Sequence, residues 1–350
     1  MPVEPATIDL SHRVRPKRWW RRRAILLPLY ALYIVALLWG GLKLVLYLRY
    51  SVPLASPNLR AGVVDVFYPV LRHSGAIDVP AGPDGTQHVL LLGGSVLEQV
   101  GPELQRQLQA RSSRPVQVHN VALSAHTSRD SLWKWRLLKG HHFDVVVIYH
   151  GINDVRMNCV APDLYRDDYT HAAWYSSLEA QNKSGGATLP EALSDQWASR
   201  PDKIDQGEPS PGDLEYGRQI RTPVAYRQNL AEILEGVRQQ RGVAVLGSFA
   251  TWLPENYNRD AFRRGELGYG RGAFALPVEA WGLPDNVRTT IAAHNVEVGK
   301  LAAEFAGPHV HFVDFAAQLP ANGEHFSDIC HLTHAGIQAW VQLLLPAIPD

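Results

Sequence analysis

Read for the spacing of hydrophobic and polar positions, the chain divides into an apolar block, an irregular stretch and a long alternating region. The block, Ala24 to Leu42, runs about 19 residues without a charge. As a helix rising about 1.5 Å per residue it reaches about 29 Å, the thickness of a hydrocarbon core. From His88 onward, His88–Leu92, Val116–Val121, Asp144–Tyr149, Val243–Leu246 and Val310–Val313 are short apolar runs. Each is too short for a helix and predicts a strand. Between them Leu97, Val100, Leu104 and Leu108 recur at helical spacing, and so do Leu230, Ile233, Leu234 and Val237. Strands apolar on both faces and joined by helices predict an α/β fold whose mostly parallel sheet is covered on both sides. Reactive loops then gather at the C-terminal ends of the strands.

Charge changes the picture at the N-terminus. Lysine plus arginine equals aspartate plus glutamate at 34 each, so no overall field points to a nucleic-acid partner. The first 23 residues nevertheless hold Arg13, Arg15, Lys17, Arg18, Arg21, Arg22 and Arg23. A cationic flank stays cytosolic, while Trp19, Trp20, Trp39 and Tyr47 suit the two interfaces and Lys43 can snorkel outward. Pro28 is expected in the first helical turn, where a missing N–H costs least. A cleaved signal peptide is the competing reading, but the apolar run is long and Pro53-Leu54-Ala55 lacks a small residue at the upstream cleavage position. The expected organisation is a cytosolic tail 1–23, a transmembrane anchor 24–48, a juxtamembrane connector 49–87 and a domain 88–350 that is periplasmic or extracellular. Residues 155–222 are polar, irregular and too long for a simple connection, so they form an insert, either a lid or a surface excursion. A second loop-rich segment, Trp252 to Pro284, borders the same cleft in this reading. Only Cys159 and Cys330 are present, enough for one disulfide in an oxidising compartment, with two free buried thiols as the competing reading.

The candidate chemistry sits where strands end. Gly93-Gly94-Ser95 follows the first strand and opens a helix, so exposed N–H groups and the positive helix end favour an oxyanion beside the Ser95 hydroxyl. The competing reading of Ser95 is an ordinary helix cap. The stretch Asn120 to Ser128 leaves the second strand and can aim a backbone N–H at the same point. Gly151-Ile152-Asn153-Asp154 follows the third, and Asn153 offers an amide donor. Asp328-Ile329-Cys330-His331 comes after the last strand and before a helix with Ile337, Trp340 and Leu344. A serine hydroxyl needs a base, an imidazole suits that task, and an aspartate three residues earlier can hold its tautomer.

These four blocks, covering roughly His88 to Trp340, resemble the SGNH/GDSL hydrolase superfamily. The resemblance implies a flavodoxin-like three-layer α/β/α sandwich with a five-stranded parallel sheet. It makes Ser95 the nucleophile, Asp328 and His331 its partners, and Asn153 an oxyanion donor. A backbone donor maps to Ala125, where the family has a glycine able to take φ > 0, and Gly94 stands where the family name has aspartate. Ser95 N–H completes the expected oxyanion hole, Gly94 and Gly151 shape the turns, and Asp154 is expected to support them. The implied activity is ester hydrolysis or O-acyl transfer without cofactor or metal. The substrate does not follow from these residues, but a position outside the cytoplasm favours an O-acylated, for example acetylated, glycan, and an anchor that brings the site near the bilayer makes a lipid ester or lysophospholipid the alternative. A non-catalytic carbohydrate-binding or assembly protein is a further alternative. So is a metal-dependent hydrolase using Asp328, His331 and His334 with His325 nearby.

Overall fold

The computed structural model describes residues 18–50, 54, 60–185, 187–188 and 207–349. Residues 1–17 of the basic tail, 51–53 and 55–59 with the cleavage-site stretch, and 189–206 of the insert lie outside the described residues. The chain forms two compact units, Met1–Ala61 and Gly62–Asp350.

In the first unit, helix α1 spans Arg18–Tyr50. Within it Ile25–Leu48 has a mean hydropathy of 2.1, long and apolar enough to be a membrane span or a signal anchor. Its large side chains are exposed, Leu38 by 68% and Leu48 by 72%, an apolar surface that water alone does not stabilise. The helix starts before the apolar run because arginine propagates a helix readily. Pro28 therefore lies inside α1 and not in its first turn, and removes one backbone hydrogen bond there.

The second unit is built on five parallel strands: β1 Gln87–Gly93, β2 Val116–Asn120, β3 Val145–Tyr149, β4 Val243–Gly247 and β5 Val310–Val313. Their order is β2-β1-β3-β4-β5, with Val89 opposite both Val118 and Val145. Central β1 and β3 are buried along their whole length, which is why they read as continuous apolar runs. Alternate residues serve opposite faces. Val89, Leu91, Val145 and Val147 pack with Leu97, Leu104 and Trp340, from helices α2 (Ser95–Arg111) and α8 (His334–Leu344). Leu90, Leu92, Val146 and Ile148 pack with Leu132 of α3 (Ser128–Leu137) and with Leu230, Ile233 and Leu234 of α6 (Thr222–Gln239). Each such burial stabilises the fold by about 1.5–3 kcal/mol. The result is the three-layer α/β/α sandwich expected from the resemblance.

Two stretches differ from expectation. The connector expected at 49–87 is folded from Gly62 onward. Short helices at Val63–Phe67 and Val70–His73 bury Phe67, Tyr68 and Leu71 against the Leu90 face. Helices of four or five residues carry no readable period, so the spacing gave no sign of them. The insert contributes core as well as surface: Tyr169 and, on α5 (Ala173–Lys183), Tyr175 and Leu178 are buried in the same cluster.

Candidate active site

The loop after β1 is shaped by what lies against it. A side chain at Gly93 would put its Cβ 2.8 Å from the Tyr149 carbonyl, and one at Gly94 would come 2.6 Å from Asn153 Nδ2. Gly94 has an ordinary extended backbone (φ −98°), so its reason is space and not conformation. It is the N-cap of α2, Ser95 is the first helical residue, and no side chain caps that end. The hydroxyl is therefore not spent on capping. It lies 2.6 Å from His331 Nε2, a contact between residues 236 apart in sequence.

His331 is fixed on its other side. Its Nδ1 is 2.6 Å from Asp328 Oδ2, and Asp328 also accepts the backbone N–H groups of Cys330 (2.8 Å), His331 (2.7 Å) and Leu276 (2.7 Å). A carboxylate so surrounded holds the imidazole with Nδ1 protonated and Nε2 open to the hydroxyl. Rings of Phe274 and Trp281 pack beside the imidazole, with centroids 5.7 and 5.9 Å away. Two other histidines of this region are poor bases: burial, aided by the Lys134 charge, pushes His126 and His150 down to about 3.

Asn153 sits in the first turn of the short helix α4, Ile152–Arg156. Its Nδ2 donates to the His126 carbonyl at 2.9 Å, and its Oδ1 accepts from Trp281 Nε1 at 3.0 Å. Gly151 before it is required because a Cβ would lie 2.5 Å from the Phe249 ring. Ala125 adopts φ +64°, the left-handed conformation that the family's glycine takes easily, despite its methyl group. Asp154 is wholly buried and accepts from Ser128 N (3.0 Å), Ser128 Oγ (2.5 Å) and Tyr169 OH (3.0 Å). Burial pushes its carboxyl up to about 7 against the pull of those donors.

Ser95, Ala125, Asn153 and His331 line a cleft of about 290 Å³. One flank is apolar, from Met157, Phe274, Leu276, Pro277, Ala280 and Trp281, and Arg156 and Glu208 also line it. The sequence placed the 252–284 segment at the cleft but singled out neither Phe274 nor Trp281, nor the Leu276 N–H that reaches Asp328. The aromatic content of that segment was the only signal.

Of the two readings the sequence left open for Cys159 and Cys330, the structure has the unbridged one: both are buried free thiols. Cys159 Sγ turns to the Trp281 carbonyl at 3.5 Å, while Cys330 Sγ lies 3.8 Å from His331 Nδ1. The histidines of the metal-dependent reading are not assembled either: His334 is exposed at the start of α8 and His325 pairs with Asn322. The potential ligand atoms of Asp328, Cys330 and His331 lie within 4.8 Å of one another. There the carboxylate and imidazole already bond each other, and burial raises the Cys330 thiol well above its usual range, which keeps it protonated.

The GDSL-like lipase/acylhydrolase family matches residues 91–339. No curated protein matches the chain. Among solved structures it is similar to a GDSL-like lipase from Bacteroides thetaiotaomicron VPI-5482, at 14% identity and a TM-score of 0.44 over 81% of this chain and 97% of that one. It is also similar to a lipase/acylhydrolase from Enterococcus faecalis (14% identity, TM-score 0.39, 75% and 95% covered). An acetylxylan esterase from Geobacillus stearothermophilus aligns at 15% identity with a TM-score of 0.42, 75% and 94% covered.

Proposed function

Because the chain belongs to the GDSL-like lipase/acylhydrolase family, we propose that it is a serine ester hydrolase or O-acyltransferase whose triad is Ser95, His331 and Asp328. The observation that carries this reading is the unbroken line of short contacts from Ser95 Oγ through both ring nitrogens of His331 to Asp328 Oδ2. His331 Nε2 takes the hydroxyl proton as Ser95 Oγ attacks the ester carbonyl, and Asp328 stabilises the imidazolium that forms. The oxyanion is held by the N–H of Ser95, the N–H of Ala125 and the Asn153 amide. The Ser95 N–H is suited because a first-turn donor has no acceptor within its own helix. Collapse expels the alcohol, which leaves with the proton from His331, and Ser95 keeps the acyl group. Water then releases the acid, or a hydroxyl acceptor takes the acyl group and makes the same chemistry a transfer.

The basic residues ahead of the apolar run, within 1–23, support an anchor at 24–48 with the N-terminus cytosolic and the catalytic unit outside the cytoplasm. That location favours O-acylated envelope glycans as substrates. The apolar flank at Phe274, Leu276 and Pro277 favours a second reading, a lipid ester with a longer acyl chain. One experiment tests both: full-length protein in detergent, and its Ser95→Ala variant, assayed on acetylated sugars and on esters of increasing chain length. The expected result is turnover that falls by at least about 10⁴-fold in Ser95→Ala, together with loss of labelling by a serine-directed phosphonate. Turnover retained without Ser95 overturns the triad. A rate rising steadily with chain length and poor on acetylated sugars selects the lipid ester.

A further inference from the structure

We infer that Trp281 is a positioning residue for the oxyanion donor: its indole N–H fixes which way the Asn153 amide faces. The inference rests on the triad reading above and goes beyond it, since the Trp281 N–H is bonded to Asn153 and to no reacting atom.

An asparagine amide has two ends of nearly equal size and opposite hydrogen-bonding character. Here its surroundings distinguish them. Trp281 Nε1 can only donate, and it lies 3.0 Å from Oδ1; the His126 carbonyl can only accept, and it lies 2.9 Å from Nδ2. A flipped amide would set donor against donor and acceptor against acceptor, with both clashes buried, since Asn153 is 8% and Trp281 5% exposed. In the observed orientation one Nδ2 hydrogen goes to His126, and the other remains for the ester oxygen at Ser95. Gly94 leaves the NH₂ end room that a Cβ would fill.

Trp281 is itself held in place. It closes the 3₁₀ turn Val278–Ala280, its backbone N–H donating to the Val278 carbonyl at 2.9 Å, and the Val278 backbone N–H donates to Tyr257 OH. The carbonyl of Trp281 takes the Cys159 thiol. The same indole also packs beside His331, so one side chain from the 252–284 segment sets both the oxyanion donor and the surroundings of the base.

The test is a double-mutant cycle on the full-length protein in detergent, with an activated ester as substrate. Trp281→Phe keeps a ring beside His331 and removes the N–H. We expect kcat to fall about tenfold, the worth of one buried hydrogen bond, with KM changed by less than about twofold. Asn153→Ala alone should lower kcat about a hundredfold. The double variant should be no slower than Asn153→Ala alone, because the ring beside His331 is kept and the lost N–H acts only through that amide. A benzothienylalanine at position 281, which keeps the indole shape without the N–H, should reproduce Trp281→Phe and serves if phenylalanine impairs folding. A Trp281→Phe rate equal to wild type, an Asn153→Ala rate equal to wild type, or a double variant slower by the product of the two effects each overturns the inference. Ser95→Ala, run beside them, separates this failure from failure of the triad: an inactive Ser95→Ala with an unaffected Trp281→Phe removes only the role of Trp281.

Discussion

Asp328 and Asp154 are both fully buried, and both have carboxylates surrounded by donors. Asp328 collects three backbone N–H groups and the His331 ring; Asp154 collects one backbone N–H and the hydroxyls of Ser128 and Tyr169. Burial and saturation therefore do not distinguish a reacting cluster from a holding one. The difference is the partner. Asp328 faces an imidazole whose far nitrogen reaches Ser95, whereas Asp154 faces neutral donors that pin the start of α3, the end of the loop bearing Ala125 and His126. In the proposed triad one carboxylate stabilises the imidazolium formed as a proton moves, while the other is placed to anchor the backbone that aims the donors.

Replacing each by asparagine should break this symmetry in opposite directions. Asp328→Asn leaves the shape but favours the wrong imidazole tautomer, so kcat should fall about 10³–10⁴-fold with the unfolding midpoint shifted by only a few degrees. Steady-state kinetics and thermal melting check it; a large loss of stability with little loss of rate would make Asp328 the anchor. Asp154→Asn should keep kcat within about tenfold of wild type and lower stability by about 1–3 kcal/mol. Its pH dependence is the sharper readout. With a carboxyl near 7 in the folded state and near its ordinary 3.8 in the unfolded chain, the folded protein keeps a proton that the unfolded chain has released. The stability this contributes is complete below about 4 and is lost as pH rises through 7. The stability of wild type relative to Asp154→Asn should thus fall by roughly 2–4 kcal/mol between pH 4.5 and pH 8 in urea unfolding, enough to cancel or reverse an advantage held at the acid end. Groups common to both proteins, such as buried His126 and His150, cancel in that difference. A gap independent of pH would show that Asp154 titrates alike in both states.

The two clusters were unequally legible in the sequence. Asp328 and His331 lie three residues apart in a loop after a clear strand, and Ser95 follows another, so chain order and strand ends were enough to bring them to one rim. The strands themselves were readable because Val89 to Leu92 and Val145 to Ile148 are apolar on both faces. Asp154 was readable only as a neighbour of Asn153, because its partners Ser128 and Tyr169 sit at the start of a distant helix and in an aperiodic insert. Phe67 and Tyr68, expected in a connector, could not be assigned to the core, as the helix that ends at Phe67 is too short to show a period. Trp281 was hidden differently: its role depends on one N–H direction across 128 residues, and no local pattern encodes that. Whether Cys159 and Cys330 pair stayed open in the sequence because compartment and count say nothing of which way two thiols point.

The smallest expected effect probes how firmly the holding cluster holds. Ala125 keeps φ +64° three residues before Ser128, in a conformation that costs a residue with a Cβ about 1–2 kcal/mol. Glycine removes that cost but gives the unfolded chain more freedom to lose, about 0.5–1 kcal/mol. Ala125→Gly should therefore leave stability unchanged or raise it by up to about 1 kcal/mol. With Asp154 still fastening Ser128, the Ala125 N–H should stay aimed and kcat should change by less than about twofold. In an Asp154→Asn background the same loop loses its fastening, and glycine, free to wander, should lower kcat by a further factor of about three. That dependence of one small change on another is what an anchoring carboxylate predicts. Identical effects of Ala125→Gly in both backgrounds would mean that the loop is held by something other than Asp154, and a large loss in wild type alone would mean that the alanine methyl itself is what aims the N–H.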